Sequence, residues 1–194
     1  MKKFLIFIFI VFQLLLEGCS TIATGGAEVT GLSLWHDRRT SKALAIDERI
    51  ELNSVIELNS HDATRNECHF NVTSYNGAVL VSGEAPTEKL RNKIISIVRV
   101  IQGVKVVHNE LQIAYPSTFS KRSYDSYITT KIKTSISRIK NIPGFDATRI
   151  KVVTESGTVF LLGLVHKNEA DAVTDIARRE KGVKKVVKIF EYIQ

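Results

Sequence analysis

The sequence is poor in cysteine and in long apolar runs. Its 194 residues include two cysteines, Cys19 and Cys68. If Cys19 is modified, Cys68 has no partner and an internal disulfide is excluded, so packing must stabilise the fold. After the N-terminal segment, no apolar run is long enough to span a membrane. The hydrophobic content of 44% and the charged content of 24% are those of a globular protein.

The motifs of common catalytic and metal sites are also missing. None of the five histidines has metal-ligand spacing to another, and the chain has no HExxH or paired-cysteine pattern. The Ser-Gly pairs at 82–83 and 156–157 fall in strand or turn positions, without the nucleophile elbow of a hydrolase. No glycine-rich loop is suited to hold a phosphate. We therefore expect a protein that is not an enzyme and that has no metal site and no cofactor.

The N-terminus has the pattern of an export signal. Lys2 and Lys3 give it a basic start, and residues 4–16 are apolar except for one glutamine. This run has signal-peptide length and is too short for a transmembrane helix. It ends in Leu16-Glu17-Gly18-Cys19, which resembles the lipobox of bacterial lipoproteins, where the cysteine receives lipid and becomes the mature N-terminus. The alternative is a plain signal peptide with an incidental cysteine.

A lipid on Cys19 would hold the mature protein at a bilayer, since each buried methylene contributes about 0.8 kcal/mol. Ser20 stands where an aspartate would indicate retention in the inner membrane. The resemblance therefore implies the outer membrane, with the folded part of the chain facing the periplasm. We assign residues 1–18 to the signal peptide and residues 19–40, a polar stretch containing glycines, to a lipidated and flexible tether.

The formal net charge of +7 is divided unevenly along the chain. Residues 41–113 contain 8 Lys/Arg and 9 Asp/Glu, a balance of −1, whereas residues 114–194 contain 15 and 8, a balance of +7. A basic protein usually binds nucleic acid or an anionic membrane. Because an export signal removes most nucleic acid from consideration, we expect the second half to contact anionic lipid or an acidic protein.

The two halves are copies of one unit. Residues 70–93 align with residues 150–173, and the apolar and glycine positions recur 80 residues apart. In each copy the pattern predicts a helix, two strands joined by a tight turn, a second helix and a closing strand. We therefore predict an α+β fold of two tandem αββαβ units, each a three-stranded mixed sheet covered by two helices. Gly83 and Gly163 interrupt strand patterns, and we interpret both as structural glycines at a close approach of backbone or helix.

The αββαβ unit with its paired glycines resembles a BON domain. Further similarity lies in residues 37–40 before the first unit, in VTSYNG at 72–77 and in the closing EYI at 191–193. Two such units after a lipobox are similar to the dual BON-domain outer-membrane lipoproteins, over nearly all of the mature chain. The boundaries that we assign are 41–113 for the first domain, 114–123 for the linker and 124–194 for the second domain.

This resemblance implies a protein without catalytic activity. It implies that the second domain binds anionic phospholipid, here the inner leaflet of the outer membrane. It also implies a role in outer-membrane integrity and in envelope work at the division site, with envelope or division-site proteins as further partners.

The first helix of the second unit, predicted at 124–140, offers a face for such binding. At about 100° per residue, a mixed stripe runs beside the buried isoleucines. The candidate phospholipid-binding residues are Tyr127, Lys131, Thr134 and Arg138 on this stripe, with Lys121 and Arg122 before the helix. An aromatic ring beside cations suits a bilayer interface, because the ring can lie at headgroup level while the cations meet phosphates. The family generally has Trp where this chain has Tyr127.

The first copy differs at the corresponding place. Aligning Ile46 with Ile128 sets Ala45 opposite Tyr127, and the first helix carries several acidic residues. We therefore expect binding to reside in the second copy. Two alternatives stay open: the same basic face binds an acidic envelope protein, or it is only a solvated basic surface.

Overall fold

In the computed structural model, which describes residues 37–193, each half of the chain forms a three-stranded sheet with its helices. The first half comprises α1 (Ser41–Ser60), the short α2 (Asp62–Glu67), β1 (His69–Tyr75), β2 (Ala78–Ala85), α3 (Glu88–Arg99) and β3 (Val106–Ile113). The second half comprises α4 (Phe119–Ile136), a 3-10 turn (Ala147–Arg149), β4 (Ile150–Glu155), β5 (Thr158–Val165), α5 (Lys167–Arg179) and β6 (Lys185–Tyr192). The predicted α+β class with two αββαβ units is confirmed. Cys19 lies outside the described residues.

The two sheets have the same topology, with the middle strand antiparallel to the first and parallel to the last. The antiparallel pairs are joined by two-residue turns at Asn76-Gly77 and Ser156-Gly157. All four of these residues have positive φ, from 51° to 81°, as a type I′ hairpin turn requires. The parallel pairs need a crossover, which α3 and α5 provide. No helix among residues 37–193 is long and apolar enough to cross a bilayer.

Helix α4 begins earlier in the chain than the sequence predicted. The hydroxyl of Thr118 accepts a hydrogen bond from the backbone N–H of Lys121, so this threonine caps the helix and Phe119 is its first residue. The helix ends at Ile136, before the predicted end at 140. Half of the predicted linker at 114–123 is thus helical, and the helix exposes an additional turn.

Each unit has its own core between helices and sheet. In the first unit, Val79 and Val81 of β2 pack with Ile50 of α1; in the second, Val159 and Leu161 of β5 pack with the helices. These residues alternate along the strand, so they occupy one face of each sheet.

A third apolar cluster joins the opposite faces of the two sheets. Its buried members are Tyr75 and Leu80 from the first unit and Phe160, Leu162 and Ile189 from the second. The two sheets therefore pack on each other, with helices on the outer faces. The second face of β4 also meets the first unit: Val153 joins this cluster, and Lys151 pairs with Glu51 at 2.6 Å.

The segment before α1 is fixed against both units. Arg38 forms a bidentate pair with Glu169 of α5, at 2.5 and 2.9 Å, and also donates to the carbonyl of Leu164. Arg39 pairs with Asp47 of α1 at 2.8 Å, and its guanidinium lies 3.8 Å from the centre of the Tyr75 ring. Residues of the predicted tether that the structure describes thus hold the two units together.

We expect Arg38→Ala to destabilise the protein by about 3 kcal/mol, because it leaves the buried Glu169 without its cation. Burial opposes ionisation of Glu169, but the hydrogen bonds from Arg38 and from the backbone of His166 hold its pKa below the ordinary value. A lowered folded-state pKa stabilises above the unfolded-state pKa, and this contribution is lost as the pH falls through the folded-state value. Urea titrations of both proteins should therefore differ at neutral pH and converge in acid. An equal difference at every pH would contradict the pairing.

Gly83 and Gly163 face the start of the neighbouring antiparallel strand. A Cβ at Gly83 would overlap the carbonyl oxygen of His69, and one at Gly163 would lie 2.9 Å from the carbonyl oxygen of Arg149. The close approach is therefore to backbone at the start of a strand, at His69 of β1 and at Arg149 just before β4, and not to an α-helix.

We expect Gly163→Glu to lower the free energy of unfolding by about 1–3 kcal/mol, since the backbone of Arg149 cannot move without breaking the strand pair. Lys167→Glu introduces the same side chain at an exposed site of the same unit and should melt close to the parent protein. Thermal melts followed by circular dichroism measure both, and equal melting temperatures for Gly163→Glu and the parent would show that the position is not tight.

Candidate functional site

Helix α4 exposes three aromatic rings. Its isoleucines at 128, 132 and 136 are buried in the core of the second unit. On the other side, Phe119 is 79% exposed, Tyr124 49% and Tyr127 57%. The rings of Tyr124 and Tyr127 stack with their centres 6.2 Å apart. We call Phe119, Tyr124 and Tyr127 the aromatic face.

Two of the predicted binding residues are exposed on α4 after Tyr127. The ammonium group of Lys131 lies 6.0 Å from the centre of the Tyr127 ring and pairs with Glu180 at 3.1 Å. The hydrogen bond and the charge of Glu180 raise the pKa of Lys131, so this lysine stays protonated. Thr134 is exposed, and its hydroxyl donates to the carbonyl of Thr130, so it contributes polarity without charge.

Basic residues also border Tyr124. Lys121 and Lys184 line one cavity of 420 Å³ together with Tyr124 and Gly182. Gly182 has a φ of +98°, and a Cβ there would lie 2.8 Å from the Tyr124 hydroxyl, so only glycine lets the ring pack against this turn. Lys184 donates to the carbonyl of Ser156 at 3.1 Å, which keeps its ammonium group at the cavity.

The structure does not gather all of the predicted binding residues. Arg122 is half-buried and lines a different cavity, with His69 and Glu155, on the side that faces the first unit. Arg138 is exposed but lies beyond the end of α4. Tyr127, Lys131 and Thr134 share one side of α4, and Lys121 lies in the first turn of this helix.

Sequence reasoning missed Phe119, Tyr124 and Lys184. Phe119 was missed because the helix was expected to begin at 124, and Thr118 was the signal that could have corrected this. Tyr124 lay within the predicted helix, and its position three residues before Tyr127 was the signal that places it on the same side of the helix. Lys184 comes from the loop before β6, and only the fold brings it to Tyr124.

An aspartate in each unit fixes the structural equivalence of the two copies. Asp47 accepts hydrogen bonds from the backbone N–H groups of Asn76 and Gly77, at 2.7 and 2.9 Å. Asp125 does the same for Ser156 and Gly157, at 2.9 and 3.0 Å. Asp47 and Asp125 therefore occupy equivalent positions in α1 and α4, and the other residues of the two helices are matched by counting from them.

This equivalence corrects the helix alignment by one turn. Arg49, not Ala45, occupies the position of Tyr127, and Ile46, which the sequence alignment set opposite Ile128, occupies that of Tyr124. An apolar stripe that repeats every three or four residues fits equally well after a shift of one turn, which explains the error. The first copy thus has a cation and an aliphatic residue where the second has stacked tyrosines.

Comparison with known proteins defines the class of the chain. The BON domain family matches residues 48–115 and 124–194. Outer membrane lipoprotein DolP of Haemophilus influenzae is 34% identical over 181 residues, which cover 92% of this chain and 90% of that protein. The 21 kDa hemolysin of Actinobacillus pleuropneumoniae is 34% identical over 158 residues, covering 81% and 80%. Among solved structures, the C-terminal domain of CdsD, a type III secretion protein of Chlamydia trachomatis, aligns over 76% of this chain and 67% of its own. The TM-score is 0.29 and the identity is 14%, a similarity too low to indicate a shared function.

The chain therefore belongs to the BON-domain family, within which it is a two-domain outer-membrane lipoprotein of the DolP type. The predicted location, lipid-anchored at the outer membrane and facing the periplasm, is confirmed by this membership.

Proposed function

We propose that the second BON domain binds anionic phospholipid through the aromatic face and the lysines beside it. The observation that carries this proposal is the exposed Tyr124–Tyr127 stack with Lys131 next to it. Aromatic rings with a polar tip lie favourably at the headgroup level of a bilayer. Each lysine near an anionic surface adds about 1 kcal/mol. Phe119, at the start of the helix, adds an apolar side chain without a polar group.

Lys131 already forms an ion pair within the protein, which affects how it can meet a lipid phosphate. In the free protein its partner is Glu180, whose side chain is 13% exposed. The Lys131 side chain is 45% exposed, so a lipid phosphate can reach its ammonium group without displacing the mostly buried Glu180. Lys121 and Lys184, which border Tyr124, extend the basic rim along the helix toward its N-terminus.

Two observations favour the second domain over the first. The second half of the chain carries the excess of positive charge, a balance of +7 against −1. The helix of the first domain has Arg49 in the place of Tyr127, and its exposed apolar residues are the aliphatic Leu52, Val55 and Ile56. The first domain therefore lacks the aromatic and basic combination.

The protein acts in this proposal without catalysis. Burial raises the pKa of the Cys68 thiol and so disfavours the reactive thiolate. The wider role, support of outer-membrane integrity with envelope or division-site proteins as partners, rests on the family. The second candidate is an acidic envelope protein as the ligand of the same face, which the exposed lysines also favour.

Vesicle flotation tests the lipid proposal. The mature chain of residues 19–194, kept free of lipid by Cys19→Ser, should float with vesicles of anionic phospholipid and less so at high salt, since salt screens exposed charges. The triple variant Lys121→Gln, Lys131→Gln, Lys184→Gln should lose about 3 kcal/mol, roughly 100-fold in partitioning. Tyr124→Ala with Tyr127→Ala should also weaken binding.

The matched control is Lys42→Gln, Arg49→Gln, Lys105→Gln in the first domain, which removes the same number of charges and should bind as the parent does. Circular dichroism checks the fold of each variant. Equal loss in both triple variants would contradict the assignment to the second domain. Failure of the parent chain to float on any vesicle, with a retained acidic protein partner, would favour the second candidate.

A further inference from the structure

Three side chains that are distant in sequence meet where the two domains join. His69 opens β1, Glu84 lies directly opposite it on β2, and Glu155 ends β4 of the second domain. The Nδ1 atom of His69 is 3.0 Å from Glu84 Oε2 and 3.8 Å from Glu155 Oε1. One ligand atom from each of the three residues lies within 4.8 Å of the others. We call these residues the junction cluster.

The junction cluster is short of positive charge. Both glutamates are 3% exposed, and the two share one imidazole. Two other buried acids in residues 37–193 are each paired with an arginine: Asp47 with Arg39 and Glu169 with Arg38. Burial raises the pKa of Glu155, and the nearby charge of Glu84 adds to this effect against the opposing influence of His69 and Asn71.

The surrounding groups orient the carboxylates without neutralising them. Asn71 donates to Glu155 Oε2 at 3.0 Å, which leaves Oε1 on the side of His69. The backbone N–H of Ser117 and the hydroxyl of Ser156 each lie 3.4 Å from Glu84 oxygens. A cavity of 180 Å³ opens beside His69 and Glu155, and in the described chain Arg122, which lines it, forms no ion pair with either glutamate. Such neutral donors are typical of the groups that orient metal ligands.

We propose that His69, Glu84 and Glu155 bind a divalent transition metal ion of the zinc type. Imidazole nitrogen and carboxylate oxygen are ordinary ligands of Zn²⁺, at about 2.0–2.2 Å, and a tetrahedral site places ligand atoms about 3.3 Å apart. The separations in the junction cluster bracket that value, and the adjoining cavity supplies room for a water molecule as the fourth ligand. An imidazole ligand favours zinc over Mg²⁺ or Ca²⁺, which prefer oxygen ligands.

A metal ion at this place would link the domains. Two of its ligands come from the first domain and one from the second, so binding would stabilise the observed arrangement of the two sheets. The sequence prediction of no metal site rested on spacing, and positions 69, 84 and 155 follow no spacing rule because they meet only in the folded protein.

Isothermal titration with ZnCl₂ tests the site, on the Cys19→Ser chain after removal of metal with a chelator. The parent should bind one Zn²⁺ per chain and melt at a higher temperature with zinc, since a ligand of the folded state stabilises it. His69→Gln and Glu155→Gln should each weaken binding at least about tenfold, the size of effect that loss of even an orienting group produces. MgCl₂ should give no shift.

The matched control is His61→Gln, which alters the exposed His61–Glu57 pair, 3.8 Å apart, on the surface of the first domain. It should bind zinc as the parent does, and circular dichroism should show all variants folded. Absence of zinc binding by the parent would overturn the proposal. Unchanged binding in His69→Gln and Glu155→Gln, or equal loss in His61→Gln, would overturn it as well.

Discussion

The contact between the two sheets determines which surfaces this protein offers to its surroundings. Tyr75 and Leu80 on one sheet are buried against Phe160 and Leu162 on the other. Each buried side chain of this size contributes about 1.5–3 kcal/mol when it leaves water. Because each sheet uses its second face here, the helices stay on the outside, and α4 keeps its aromatic face free. A solitary second domain would instead expose Phe160 and Leu162.

Polar interactions complete the junction around this apolar contact. On one side, Arg38 pairs with Glu169 of the second domain, and Arg39 pairs with Asp47 of the first. The segment before α1 is thereby held against both domains. On another, the junction cluster collects residues of both domains beside the linker residue Ser117. The orientation of the aromatic face relative to the point where the tether enters is therefore fixed by the fold. Under the lipid-binding proposal, this fixed geometry would let the anchored protein present the aromatic face to the bilayer.

Much of this architecture follows from the sequence, and the exceptions have physical causes. The internal repeat and the turn residues at Asn76-Gly77 predicted the order of helices and strands, because turn chemistry and periodicity are local. The helix register was missed by one turn, since an apolar stripe has no unique phase and only the hydrogen bonds of Asp47 and Asp125 set it. The sheet contact was missed because strand alternation does not reveal what covers the second face, although the continuous apolar run of residues 158–165 indicated burial on both sides.

The sequence predicted the general character of the candidate site but not all of its residues. Periodicity placed Tyr127, Lys131 and Thr134 on one exposed face, as the structure shows. Lys184 and the displaced Arg122 depend on packing between elements that are far apart in the chain, and the Glu180 partner of Lys131 does too. The residue types near one helix therefore predicted an aromatic and basic surface. Which basic side chains lie on that surface depends on the tertiary structure.

The most direct measurement of the central claim is the position of the bilayer relative to the folded domains. Amide NMR signals of the chain bound to lipid nanodiscs that contain spin-labelled phospholipid would report it residue by residue. If the aromatic face meets the bilayer, the signals of Phe119, Tyr124, Tyr127 and the Gly182 turn should broaden strongly, and that of Arg49 on the equivalent face of the first domain should not. Broadening centred on α1, or spread evenly over both domains, would contradict it.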